Sequence, residues 1–115
     1  MIVEDDALVA EALSKALVEM GAMAEFYHSA EVALNHPDIG DADYFIVDYM
    51  LGGTLNGIEF LERLRRKLNT PVKAVIMTGE TSSAFVRDTA NCAWPVQHKP
   101  VTISKLIDSL RTQTL

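Results

Sequence analysis

Four places in this sequence carry residues that could do chemistry together: Glu4-Asp5-Asp6, Asp48, Thr78 and Lys99. Each stands at the end of a short strand-like run. Carboxylates crowded at one edge repel one another and raise each other's pKa unless a cation joins them. A hard, oxygen-rich site suits Mg²⁺, held by one or two carboxylates with waters completing an octahedron. A divalent ion beside a carboxylate can neutralise an incoming phosphoryl group. A lysine adds positive charge, and a hydroxyl can bond a phosphoryl oxygen. An aspartate placed there can attack phosphorus and hold an acyl phosphate.

These residues can act together only if the elements carrying them end at one edge. Met1-Ile2-Val3 is a short apolar run ending in Glu4-Asp5-Asp6. Residues 7–20 have helical spacing through Leu8, Val9, Ala12, Leu13, Ala16, Leu17 and Met20, with Asp6 as N-cap and Gly21 just past the end. Residues 22–27 read as a strand, and Ser29 caps a short helix through about Asn35, followed by a loop with Pro37 and Gly40. Tyr44-Phe45-Ile46-Val47 is the strongest strand signal and ends at Asp48. A loop with Gly52, Gly53 and Gly57 leads to a helix over 58–68, which Pro71 is expected to stop. Residues 72–77 form the next strand, 82–91 a helix and 95–98 a weaker strand. Thr102 caps a last helix bearing Ile103, Leu106, Ile107 and Leu110. Five strand–helix pairs imply an α/β fold, a parallel sheet covered on both faces. Such sheets bind ligands outside the carboxyl ends of their strands, where the residues above fall. No glycine-rich phosphate loop follows the first strand, which argues against a dinucleotide or P-loop site.

With 115 residues, the chain suits one domain with its own core. One cysteine, Cys92, excludes an internal disulfide framework and a cysteine-based zinc site, and fits a reducing, cytoplasmic setting. No apolar run approaches the ~18 residues of a membrane-spanning helix, and no signal-peptide pattern opens the chain. The net charge is −6, unlike a nucleic-acid surface with clustered Lys and Arg. It is unevenly spread: residues 1–50 hold eleven acids and one base, residues 51–115 five acids and nine bases. The acids could serve a cation or simply form a solvated face. Arg63, Arg65, Arg66 and Lys67 read as a solvated helix face, and Cys92 and Trp94 as packing residues.

Taken in order, the motifs "IVEDD", "FIVDYMLGGTLNG", "VIMTGE" and "HKPV" resemble those of the receiver domain of two-component signalling. The resemblance runs from about Ile2 to Arg111 and is similar to receivers of hybrid sensor histidine kinases. It implies a doubly wound (βα)5, flavodoxin-like fold with a five-stranded parallel sheet of order 2-1-3-4-5. It implies that Asp48 is the phosphoacceptor, with Thr78 the switch hydroxyl and Lys99 the phosphoryl contact. It further implies Mg²⁺ bound by Asp5, Asp48 and the Met50 backbone carbonyl, with Glu4 acting through water. Asp6 then falls one place late and is left as a helix cap. Pro100 follows Lys99, where the family often has a cis bond.

The implied partner is a histidine kinase or phosphotransfer protein, with no nucleic acid and no membrane insertion, and with room for a homodimer. The implied activity is phosphate transfer from a phosphohistidine to Asp48, with autodephosphorylation, and no turnover of an external metabolite. Three positions depart from the family's common pattern. Val96 replaces the usual Tyr or Phe three before Lys99, Gly52 replaces a usual proline, and Gly57 lies one place further from Asp48. Two rival functions are a degenerate receiver that only binds partners and a Mg²⁺-dependent phosphatase with an aspartyl nucleophile. The phosphatase typically needs an acid two after the nucleophile, where this chain has Met50, which cannot transfer a proton. The whole of 1–115 reads as a single receiver domain, and its abrupt first strand suggests a piece of something longer.

Overall fold

The computed structural model describes residues 1–79, 87, 90 and 92–113. In chain order these form β1 (Ile2–Val3), α1 (Ala7–Glu19), β2 (Phe26–Tyr27), α2 (Ala30–Leu34), a 3₁₀ turn (Ile39–Asp41) and β3 (Phe45–Asp48). There follow α3 (Gly57–Leu68), β4 (Ala74–Thr78), β5 (Val96–His98) and α4 (Ile103–Arg111). The helix expected over 82–91 lies outside the described residues, apart from Arg87 and Ala90.

All strands are parallel in one sheet of order β2-β1-β3-β4-β5, as the flavodoxin-like receiver order requires. Strand side chains alternate between faces, and the core divides accordingly. Val3, Phe45, Val47, Ala74 and Ile76 pack on one face with Ala30 and Ala33 of α2 and with Phe60, Leu61 and Leu64 of α3. Ile2, Ile46, Val75 and Met77 pack on the other with Leu106 and Leu110 of α4, and with Leu13 and Leu17 of α1 at the margin. Strands buried on both faces explain the unbroken apolar runs of β3 and β4.

The helix starts follow their caps. The side chain of Asp6 accepts from the N–H groups of Leu8 and Val9, Ser29 from Val32, and Thr102 from Lys105. Asn56 and Glu59 form a reciprocal capping box at α3. Gly21, past α1, has φ +89°, the left-handed conformation that suits glycine.

Several boundaries differ from expectation. Only Phe26–Tyr27 of the strand read over 22–27 pairs as strand, because β1 offers just two residues to pair with. β3 and β4 each run one residue further, taking Asp48 and Thr78 into the sheet. α3 is ended by Asn69 in the left-handed conformation, φ 51°, two residues before Pro71. The 3₁₀ turn stands where a plain loop was expected.

Candidate functional site

Register brings the site together. Val3 lies opposite Val47, so Glu4 and Asp48, each the next residue, end side by side. Asp48 pairs with Met77 and Thr78 with His98, which adds Thr78 and then Lys99 along the same edge. The Lys99 N–H donates to the Thr78 carbonyl at 2.7 Å. The Lys99–Pro100 peptide is cis.

Glu4, Asp48 and Thr78 are 1, 5 and 0% exposed, whereas Asp5 is exposed. One carboxylate oxygen from each of Glu4, Asp5 and Asp48 lies within 4.8 Å of the other two. The Lys99 ammonium donates to Asp48 Oδ2 at 3.2 Å and lies 3.6 Å from Glu4 Oε2. Backbone amides hold the other oxygens. The Asp6 N–H donates to Glu4 Oε1 at 3.2 Å, and the Met50 N–H to Asp48 Oδ1 at 3.3 Å. Glu4 Oε2 is buried without a hydrogen bond.

Burial, reinforced by the Asp48 carboxylate, pushes the Glu4 carboxyl up to about 7, against the opposing pull of Lys99 and the Asp6 N–H. Burial draws the Lys99 ammonium down, but Asp48 and Glu4 outweigh it and leave its pKa raised. Three carboxylates cluster where one ammonium reaches two of them, Asp48 and Glu4, and one buried oxygen lacks a hydrogen bond. A hard divalent cation fits that donor set.

The expected residues Glu4, Asp5, Asp48, Thr78 and Lys99 thus share one edge, and Met50 meets them through its N–H, which donates to Asp48. The Met50 side chain is 57% exposed. Val96 is half-buried and paired with Ile76. Two contacts were not anticipated. The first is the close approach at Gly57, already read as a loop glycine, where a Cβ would stand 2.6 Å from the Asp48 carbonyl oxygen, so a glycine lets α3 start against the end of β3. The second is Glu31 of α2, whose carboxylate accepts from Thr54 in the β3–α3 loop. A contact between residues so far apart leaves no local sequence signal.

The fold and site together define a doubly wound α/β module with an acidic, cation-ready pocket at the carboxyl edge of its sheet. Residues 1–111 match the family model of the response regulator receiver domain, and the chain belongs to that family. It is a family of phosphoacceptor modules in two-component signalling rather than of classical enzymes. Its members bind Mg²⁺ at an acidic pocket and interact with histidine kinases or phosphotransfer proteins.

The chain is 38% identical over 72 residues to the transcriptional activator protein IrlR of Burkholderia pseudomallei. That match covers 63% of the chain and 31% of IrlR, so the chain spans only a fraction of that relative's length. It is also similar to the signal receiver domain of a modulated diguanylate cyclase from Desulfovibrio desulfuricans G20, with 27% identity and a TM-score of 0.77. That alignment covers 96% of this chain and 87% of the other. A Burkholderia pseudomallei response regulator, solved with a phosphorylated aspartic acid, a calcium ion and citrate, shares the fold at 20% identity and TM-score 0.75. There the coverage is 96% of this chain and 65% of the other. Among the described residues, no helix is long and apolar enough to cross a membrane.

Proposed function

We propose that residues 1–115 act as a single cytoplasmic receiver domain that accepts a phosphoryl group on Asp48 from a phosphohistidine protein. An Asp48 carboxylate oxygen attacks phosphorus as the P–N bond to the donor imidazole breaks. The electron pair of that bond stays with the imidazole, which takes up a proton, and Asp48 becomes an acyl phosphate. Lys99, already bonded to Asp48, neutralises charge on the transferring group. Thr78 supplies a hydroxyl to a phosphoryl oxygen and carries the change into the loop that follows β4. Attack of water on phosphorus later breaks the P–O bond to Asp48, which leaves as the free carboxylate while inorganic phosphate and a proton are released.

Asp5, Asp48 and the Met50 carbonyl would hold Mg²⁺, with Glu4 acting through water, and the ion would supply charge neutralisation for phosphoryl oxygens. The observation that carries this reading is the buried Asp48 carboxylate. It lies 3.2 Å from the Lys99 ammonium and shares a 4.8 Å cluster with Glu4 and Asp5. The phosphorylated aspartic acid and calcium ion in the Burkholderia response regulator support it by analogy of fold.

Incubation with acetyl phosphate or a phosphohistidine donor in Mg²⁺ tests the reading. Hydroxylamine-sensitive phosphate should appear on the parent and be absent from Asp48→Asn. Labelling of the variant at the parent rate would show that Asp48 is not the acceptor. A parent chain that takes no label from either donor would instead favour a module that only binds partners.

A further inference from the structure

The loop from Tyr49 to Asn56 is anchored firmly at both ends. The Tyr49 N–H donates to the Met77 carbonyl and the Gly57 N–H to the Tyr49 carbonyl, both at 2.8 Å. Leu51 and Leu55 are buried in the core, and Asn56 is fixed by the capping box. Between them Gly52, Gly53 and Thr54 form an exposed tip. Among the described residues, the polar tether from this tip to another element is Glu31 of α2. Its Oε1 accepts from the Thr54 N–H at 3.3 Å and from the Thr54 hydroxyl at 2.8 Å.

Gly53 makes room for this carboxylate, since a Cβ there would stand 2.8 Å from Glu31 Oε2. The tip also abuts the acidic pocket, where a Cβ on Gly52 would meet Asp5 Oδ2 at 3.4 Å. Glu31 sits on a supported helix, capped by Ser29 and seated through buried Ala30 and Ala33. Hydrogen bonds from its own backbone N–H and from Thr54 hold its carboxyl below the usual range, so it is an ionised acceptor at neutral pH.

We propose that Glu31 is a positioning residue: it clamps the tip of the β3–α3 loop and so sets Met50–Gly52 against Asp5 and Asp48 in the geometry that takes the cation. The inference rests on the Mg²⁺ reading given above. It accounts for a loop that carries one residue more than the family's common pattern between Asp48 and the helix glycine. Three consecutive residues without core anchors would otherwise sample many conformations, glycines most of all. Fixing them in advance reduces what cation binding must order.

The test is a Mg²⁺ titration followed by amide chemical shifts in the parent, Glu31→Ala, Glu31→Gln and Gly53→Ala, with amide exchange at Thr54 measured in metal-free protein. Glu31→Ala should weaken Mg²⁺ roughly three- to tenfold, the scale of the net contribution of one ordinary hydrogen bond, as suits contacts at an exposed tip, and should speed exchange at Thr54. Glu31→Gln keeps an acceptor oxygen and should stay closer to the parent on both measures. Gly53→Ala displaces only the far end of the Glu31 side chain and should mimic Glu31→Ala without loss of fold. Equal weakening by Ala and Gln would mean that Glu31 acts through its charge alone, and would overturn the clamp. So would parent-like affinity and exchange in both Glu31→Ala and Gly53→Ala. A parent whose Asp5 and Met50 amides ignore millimolar Mg²⁺ would instead remove the metal reading itself, and the positioning role with it.

Discussion

Replacing Glu4 by Gln should change how stability depends on pH more than it changes stability at acid pH. Glu4 is 1% exposed, and burial beside Asp48 pushes its carboxyl from the ordinary 4.5 to about 7. Each pKa unit corresponds to about 1.4 kcal/mol, so the displacement amounts to about 3 kcal/mol. Between those two values the folded chain holds a proton on Glu4 that the unfolded chain has released. Stability must therefore fall as pH rises through that window. Below pH 4.5 the carboxyl is neutral in both states and costs nothing. Above about 7 it is charged in both, and the full cost of a buried, crowded carboxylate is felt.

For a domain whose net stability is about 5–15 kcal/mol, 3 kcal/mol is a large share. Urea denaturation of parent and Glu4→Gln in metal-free buffer, from pH 4.5 to 7.5 at constant ionic strength, isolates the effect. Titrations of groups that do not contact Glu4 cancel in the difference between the two proteins, so the difference reports Glu4 together with its neighbours Asp48 and Lys99. The parent should lose about 3 kcal/mol relative to the variant across the window, and saturating Mg²⁺ should shrink that loss. A difference that stays flat from pH 4.5 to 7.5 would refute the reasoning, because it would mean that the carboxylates are not crowded in solution.

Mg²⁺ at tenfold excess over its Kd should stabilise the parent by about 1.4 kcal/mol and leave Asp5→Ala unmoved; a parent melting curve indifferent to millimolar Mg²⁺ would count against the site. Asp48→Asn should keep the fold, since the amide is nearly isosteric, yet accept no hydroxylamine-sensitive phosphate, which mass spectrometry reads directly. Gly57→Ala should cost roughly 1–3 kcal/mol by overpacking, because its Cβ would meet the backbone oxygen of Asp48 at 2.6 Å; an unchanged urea midpoint would contradict this. With beryllofluoride as phosphoryl mimic, amide shifts should be larger at Thr78 and Gly79 than at Val96, whose β-branched side chain is stiff and has no ring to reorient. A response centred on Val96 would overturn that expectation.

The convergence of the five site residues was legible because each closes a strand, and parallel strands in one sheet end at one edge. The paired apolar runs of β3 and β4 made that sheet visible, and the caps at Asp6, Ser29 and Thr102 could be read from residue type alone. Boundaries were harder wherever hydrogen-bonded pairing, not apolarity, decides them. Residues 22–25 look like strand, but two-residue β1 gives them little to pair with. Pro71 looks like the helix stop, but Asn69 turns the chain first. The order of strands and the roles of Thr78 and Lys99 came from resemblance, since nothing in composition or spacing dictates them. The Glu31–Thr54 tether could not be seen at all. It depends on how α2 and the β3–α3 loop meet in space, and neither residue is unusual where it stands in the sequence.

The site's parts are dealt out along almost the whole chain, and their signs follow an order. Glu4, Asp5 and Asp48 come early, while Lys99, the ammonium that bonds to Asp48, lies on the far side of the last strand. A chain emerging from the ribosome therefore holds its three crowding acids before it holds the base that offsets them. β1, β3 and β4 docked without β5 would be an electrostatically incomplete intermediate, favoured by apolar burial but opposed at its carboxyl edge. Contacts spanning 51 residues, as between Asp48 and Lys99, also form late for reasons of chain entropy. Chains truncated before Lys99 should then depend on divalent cations for compactness far more than the full chain does. If the pocket takes Mg²⁺ as proposed, cation binding and arrival of the last strand would be two routes to the same neutralisation.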